Sequence, residues 1–266
     1  MKFSNLHQHS TFSDGKNTLE EVVLSAIEKG MESIGFSDHS YTSNDESYCM
    51  ALSDYEKYCK QIDDLKQKYL GKVDVFKGIE LDYYSTIDKS KFDYVIASVH
   101  YLKSNDKYYP VDHSKEYQLS YINDACGGDL IKFASDYYSL LVKHVENCKP
   151  DIVGHFDVIT KFSLVDESDE RYREIAVTAL KQILKTCNVI EMNTGAIIRK
   201  KRQTPYPAEF LLEEILKLGG EIVLSSDSHS KDTITDYFDD CIKTLKKIGF
   251  KYVLKFNGKS FYKEYL

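Results

Sequence analysis

No apolar run in this sequence approaches the roughly 20 residues that a membrane-spanning helix needs, and mean hydropathy is negative. The opening residues, Met1-Lys2-Phe3-Ser4-Asn5-Leu6, lack the long apolar stretch of a secretory signal. Excess positive charge is missing too. Lys and Arg number 35 against 42 Asp and Glu, a formal net charge of -7. Phosphate-backbone binding needs a basic face, so a general nucleic-acid role is not expected. Proline is scarce, at 4 residues, while 13% of positions are aromatic. That balance excludes low-complexity disorder and suits one large globular domain or two small ones. The cysteines (Cys49, Cys59, Cys126, Cys148, Cys187 and Cys241) include no C-x-x-C pair, and they read as reduced thiols. Together these absences predict a cytoplasmic protein with no membrane and no nucleic-acid partner.

What is present is an alternation. Short β-rich runs occur at Phe3–Leu6, Ser33–Phe36, Val73–Gly78, Tyr94–Val99, Ile152–Gly154, Val189–Glu191, Ile222–Leu224 and Tyr252–Phe256. Helical periods separate most of them. One begins at Thr18, with Glu21 as its capping-box partner. Others run over about Ser53 to Tyr69 and Asp129 to Asn147, through Ile175 to Leu184, from near Pro207 to Gly219-Gly220, and from Ile234 to Gly249. Strands alternating with helices mean parallel βαβ units, and seven or eight of them favour a closed barrel, with a doubly wound open sheet as the alternative. No Gly-rich phosphate loop follows any strand. The weakly periodic stretch from Tyr101 to Asp129 reads as a loop partly covering the site.

The histidines carry the functional signal. Six of the eight (His7, His9, His39, His100, His155 and His229) lie just beyond a predicted strand, and only His113 and His144 do not. The C-terminal strand ends of a parallel barrel converge on one mouth, so residues far apart in sequence meet there. Carboxylates hold equivalent places: Asp14, Asp38, Glu80, Glu191 and Asp227. Imidazole nitrogen combined with carboxylate oxygen suits zinc, iron or manganese, whereas calcium or magnesium sites are nearly all oxygen. In His7-x-His9 both side chains point the same way on an extended chain, and Asp227-x-His229 is expected to repeat that geometry. Glu80 can bridge two ions. About nine ligands exceed what one tetrahedral ion accepts, so two or three ions are expected.

Other residues read differently. His144, in a helical period, is expected to be structural. Asp38 should point away from His39 and support the site. Glu191 fits a ligand, a supporting or a substrate-contacting role. Most of the 21 tyrosines are expected to be half-buried, with hydroxyls in water. Arg199, first of the run Arg199-Lys200-Lys201-Arg202, follows a strand end and Asn193-Thr194-Gly195, where a guanidinium can clamp phosphate. Lys161 is a second candidate for that role.

These motifs have a known counterpart. His7-Gln8-His9-Ser10 with Asp14, Gly35-Phe36-Ser37-Asp38-His39, Gly78-Ile79-Glu80, Ser98-Val99-His100, Gly154-His155-Phe156-Asp157 and Ser226-Asp227-Ser228-His229 resemble the ordered motifs of the polymerase and histidinol phosphatase (PHP) superfamily. In size and pattern the chain is similar to the stand-alone histidinol-phosphatases. The resemblance implies a distorted (βα)7 TIM-like barrel, with the metal site at the C-terminal strand ends of one metallophosphatase domain spanning residues 1–266. It implies hydrolysis of L-histidinol phosphate, a small-molecule phosphomonoester of histidine biosynthesis, to L-histidinol and phosphate. Three divalent ions are implied as cofactors. His7, His9, Glu80 and Asp227 hold one; Glu80, His100 and His155 the second; Asp14, His39 and His229 the third. Some relatives have histidine near Asp14, and many have arginine where this chain has Thr160-Lys161.

On that reading a metal-bridging hydroxide attacks phosphorus, with Asp227 and Glu80 as the catalytic carboxylates and Arg199 and Lys161 as substrate contacts. Alternatives are a phosphatase or phosphodiesterase for another substrate, such as a phosphotyrosine protein or a nucleotide, and a non-catalytic metal-binding barrel.

Overall fold

The computed structural model describes residues 1–266. The elements in chain order are β1 (Ser4–Asn5), α1 (Leu19–Glu28), β2 (Ser33–Phe36), α2 (Tyr55–Lys68), β3 (Asp74–Asp82), β4 (Tyr94–Ser98), β5 (Tyr101–Ser104), β6 (Lys107–Pro110), α3 (Lys115–Cys126), α4 (Leu130–Cys148), β7 (Ile152–Val153), α5 (Glu170–Ile183), β8 (Val189–Asn193), α6 (Gly195–Ile198), α7 (Glu209–Leu218), β9 (Glu221–Ser225), α8 (Phe238–Ile248), β10 (Tyr252–Phe256) and β11 (Phe261–Tyr265). Seven strands form one parallel sheet in the order β1-β2-β3-β4-β7-β8-β9.

The sheet edges nearly meet, giving the TIM-like barrel. His9 N donates to Ser228 O at 3.0 Å, the Asn5 amide donates to Ser226 Oγ at 2.7 Å, and Gln8 and Ser228 form a parallel bridge. Side-chain amides thus complete the seam where β1, only two residues long, leaves few backbone partners. Helices pack outside, each by an apolar stripe. On α1, Leu19, Val22, Val23 and Ala26 are buried, and the Thr18–Glu21 capping box forms as the sequence suggests.

Several tyrosines are fully buried, contrary to expectation. Tyr94 stands inside against Gly78, where any Cβ would collide with its ring. Its hydroxyl donates to the carbonyl oxygens of Leu6 and Phe36. Tyr58, Tyr137, Tyr138, Tyr172 and Tyr206 are also fully enclosed, and the first two donate to Gly78 O and Phe156 O. Tyr138 and Tyr172 pair hydroxyl to hydroxyl at 2.9 Å, so protein partners replace water at these four polar tips inside an apolar core, while the Tyr206 hydroxyl has none.

Two expectations about local structure are corrected. The eighth β-rich run, Tyr252–Phe256, does not enter the barrel but pairs antiparallel with β11. This hairpin lies under the strand starts: Lys255 pairs with Glu32, just before β2, and the Phe256 ring packs 5.2 Å from Phe76. The stretch after Tyr101 is no loop. It holds the β5–β6 hairpin and α3, whose alternation is masked by tyrosines on both faces of β6. No helix of the chain is long and apolar enough to cross a membrane.

Candidate metal centre

The six strand-end histidines converge at the C-terminal mouth as expected, five of them around one carboxylate. Glu80, near the end of β3, is 1% exposed. Its Oε2 lies 2.7 Å from His39 Nδ1, 3.4 Å from His7 Nε2 and 3.7 Å from His9 Nε2. Its Oε1 lies 2.9 Å from His155 Nε2 and 3.2 Å from His100 Nε2. Asp14 closes the outer side, with Oδ2 at 3.2 Å from His229 Nε2 and Oδ1 at 3.7 Å from His39 Nε2. Asp227 Oδ1 sits 3.3 Å from His9 Nε2 and 3.9 Å from His7 Nε2. Three sets of potential ligand atoms each fall within 4.8 Å of one another: His9, Asp14, His39 and His229; His7, His9 and Glu80; His39, Glu80 and His100.

The donor set fits metal ions on a further observation. His7 Nε2, both ring nitrogens of His9, and Glu80 Oε2 are buried without a hydrogen-bond partner, and His39 Nδ1 approaches Glu80 out of hydrogen-bond alignment. An unsatisfied buried polar atom costs about 1–3 kcal/mol, and here imidazole nitrogens and a carboxylate oxygen, the donor types that bind divalent cations, are left unpaired together at one mouth. Electrostatics agree. Burial pushes the His9 imidazolium down to about 3, helped by His229 and His39, leaving the neutral ring that ligates. Burial acts the same way on His7, but Glu191, Glu80 and Asp227 outweigh it and raise that pKa well above the usual range. Burial alone would raise the Glu80 carboxyl, yet His7, His100 and His39 hold it well below its ordinary value. The carboxylate charge that favours protons on these rings equally favours divalent cations among them.

A second layer orients the histidines. Glu191 receives the His7 Nδ1 hydrogen bond at 2.8 Å and also accepts from His155 N and Asn193 Nδ2, which makes it a buttress for two histidines. Asp38 points away from the cluster as expected and accepts from the backbone and hydroxyls of Ser10 and Ser13, pinning the loop that carries Asp14. Asp82, which the sequence reading missed, lies 3.3 Å from His100 Nδ1 and accepts from His100 N at 3.0 Å. Its signal was present: Glu80-Leu81-Asp82 places both carboxylates on one face of a strand.

One geometric expectation fails. Asp227 and His229 do not repeat the extended His7-x-His9 arrangement, because Asp227 adopts φ 47°, in the left-handed region. This costs backbone strain that a non-glycine residue rarely bears. The turn aims Asp227 at two neighbours, with Oδ1 toward His9 and Oδ2 accepting from Arg199 Nη2 at 2.8 Å. Gly195 permits this: a Cβ there would come within 2.6 Å of Arg199 Nη2 and 2.9 Å of Asp227 Oδ2.

Above the cluster opens a cavity of about 370 Å³. Arg199, Lys161 and Lys201 line it, so the two expected substrate contacts face the same space as the histidines. Arg202 does not; it turns to Glu167 and lies over the Tyr206 ring. His113 stands at the rim, stacked on Tyr117. His144 is remote from the cluster, with Nε2 donating to Leu81 O at 2.7 Å.

Comparison with known proteins agrees with this architecture. The family model described as PHP domain matches residues 5–195. A histidinol-phosphatase of Bacillus subtilis is 28% identical over 247 residues, covering 84% of this chain and 92% of that protein. A histidinol-phosphatase of Lactococcus lactis is 27% identical over 269 residues, covering 97% and 96%. A crystal structure of histidinol phosphate phosphatase from Lactococcus lactis, complexed with zinc, L-histidinol and phosphate, matches with a TM-score of 0.75 at 25% identity and covers 98% of each chain. With the ordered His and carboxylate motifs meeting at the mouth of a seven-stranded barrel, and the family model spanning most of its length, the chain belongs to the PHP domain family.

Proposed function

We propose that the chain is a metal-dependent phosphomonoesterase that hydrolyses L-histidinol phosphate to L-histidinol and phosphate, acting as one catalytic domain over residues 1–266. The observation that carries this reading is the cluster of unpartnered buried nitrogen and oxygen atoms directly beneath a cavity lined by Arg199 and Lys161. The names of its relatives support the substrate.

In this reading His7, His9, Glu80 and Asp227 hold one divalent ion, Glu80, His100 and His155 a second, and Asp14, His39 and His229 a third. Zinc, iron and manganese all suit the mixed nitrogen and oxygen donors. Such ions supply Lewis-acid charge at the phosphoryl group and lower the pKa of water from about 16 toward neutrality. The protein's own groups do the rest. Glu80 neutralises charge at the centre and sets the spacing of the histidines around it. Asp227 Oδ1 would orient the attacking water and take up its proton, which returns to the alkoxide oxygen of histidinol as the ester P–O bond breaks. Asp227 Oδ2 holds Arg199, whose partly exposed guanidinium lines the cavity on the side of the phosphate. Lys161 adds a second positive charge on the phosphate side.

The test is steady-state phosphate release from L-histidinol phosphate and from phenyl phosphate, on protein whose metals are counted by elemental analysis. We expect strong preference for histidinol phosphate and loss of turnover with chelator. Arg199→Ala should raise KM about 10- to 100-fold, the worth of charge-assisted hydrogen bonds to phosphate. Full metal loading without that preference would overturn the substrate. Chelator-insensitive turnover would overturn the mechanism.

A further inference from the structure

The cavity over the cluster has an acidic residue with no role in holding metal or phosphate. Four carboxylates line it: Asp14, Asp45, Asp112 and Asp227. Asp14 faces the histidines and Asp227 is committed to His9 and Arg199. Asp45 is saturated, accepting from the Ser47 backbone and hydroxyl on one oxygen and from Tyr101 on the other. Asp112 alone has an oxygen to spare. Its Oδ2 accepts from Lys161 Nζ at 3.1 Å, and its Oδ1 has no protein partner.

Lys161 is itself incompletely satisfied. It is 7% exposed, yet Asp112 is the one protein acceptor for an ammonium that carries three donors. The two residues therefore form a short ion pair in the wall of the cavity, with a free acceptor on one side and free donors on the other. A ligand complementary to that pair has an anion and a cation close together. A phosphomonoester of a 2-amino alcohol has this arrangement, because its ammonium-bearing carbon is one methylene from the ester oxygen. L-Histidinol phosphate belongs to that class.

Resting on the substrate reading above, we propose that Asp112 binds the substrate's ammonium and makes the site selective for phosphomonoesters of 2-amino alcohols. Lys161 turns its free donors to the phosphate while Asp112 Oδ1 accepts from the ammonium, so the protein's ion pair is met by the substrate's own. Asp112 lies just past β6, at the start of the segment leading to α3, so the hairpin after His100 exists in part to bring this carboxylate over the mouth.

The experiment compares kcat/KM for L-histidinol phosphate and phenyl phosphate, which lacks the ammonium, in the metal-loaded protein and in Asp112→Asn. The ratio of the two should fall about 10- to 100-fold, chiefly through KM for histidinol phosphate, as expected for losing a hydrogen bond between charged partners. Asp112→Glu should retain most of the preference. Turnover of phenyl phosphate by each variant reports that the fold and metals are intact. An unchanged ratio, or equal losses on both substrates, would overturn the proposal. A second pair, phosphoethanolamine against ethyl phosphate, separates it from the substrate reading. If histidinol phosphate is not preferred but an Asp112-dependent preference for phosphoethanolamine persists, the substrate reading fails and the role of Asp112 stands. No such preference in either pair overturns that role.

Discussion

His9 and His144 are the same side chain at nearly the same burial, 0% and 4% exposed, in the same protein. His144, on α4, donates from Nε2 to Leu81 O and is a finished piece of packing between a helix and β3. His9, at the barrel mouth, has neither ring nitrogen hydrogen-bonded and faces other histidines and the carboxylates of Glu80 and Asp227. Burial depresses the imidazolium in both. The difference is in partners: one ring is satisfied by the backbone, the other by nothing the chain supplies. Burial and an unusual pKa therefore do not mark a functional histidine by themselves. A missing partner does.

The largest break in this comparison should come from Glu80→Ala. With the carboxylate gone, five histidines lose their common anion, so metal content and activity should fall together, activity by at least about 10³-fold. Elemental analysis alongside phosphate release checks it, and near-normal turnover would remove Glu80 from the centre. Glu191→Gln is a finer cut. It keeps a side chain of the same shape but removes the charge that holds the His7 ring, and losses of about 10- to 100-fold in metal affinity or activity are expected. Retention of both in a metal titration would show that His7 needs no orienting anion.

The smallest effect belongs to His144. Its folded pKa lies below the ordinary value because the ring is buried, so the unfolded chain takes up the proton first. The stability tied to its neutral ring is thus complete above the unfolded value of about 6.5 and is lost as pH falls from there toward the folded pKa. His144→Gln should cost only about 1 kcal/mol at pH 7.5, the net worth of one hydrogen bond, and that gap should narrow at pH 5. Denaturant unfolding at the two pH values measures it, along with unchanged metal content. A gap that widens on acidification would contradict the sign.

Much of the barrel was legible because its signals are local. Short apolar runs marked Ser33–Phe36 and Tyr94–Val99, the latter one residue longer than β4, and Thr18-x-x-Glu21 announced α1, since a strand's burial and a helix cap depend on neighbouring residues. The hairpin of β5 and β6 escaped because its tyrosines pack on both faces and leave no period of two. The eighth run had the composition of a barrel strand and became half of a hairpin, since pairing partners are chosen by the whole sheet. Tyrosines such as Tyr83 and Tyr84 are half-buried as expected, but Tyr58, Tyr94 and Tyr137 are fully buried, since composition cannot locate the acceptor that lets a hydroxyl be enclosed.

By itself, the sequence determined that histidines and carboxylates would stand at strand ends, because alternation sets which residues end each strand and parallel strands end on one side. That is enough to bring Glu80 among His7, His39, His100 and His155. Only the tertiary structure decided who supports whom. Asp227 turns through a left-handed backbone to meet Arg199, Glu191 buttresses His7, and Asp112 reaches Lys161 from a hairpin that no local pattern revealed. These pairings join residues 28 to 184 positions apart. Their existence depends on the packing of the nearly closed barrel, which no local run of residues encodes.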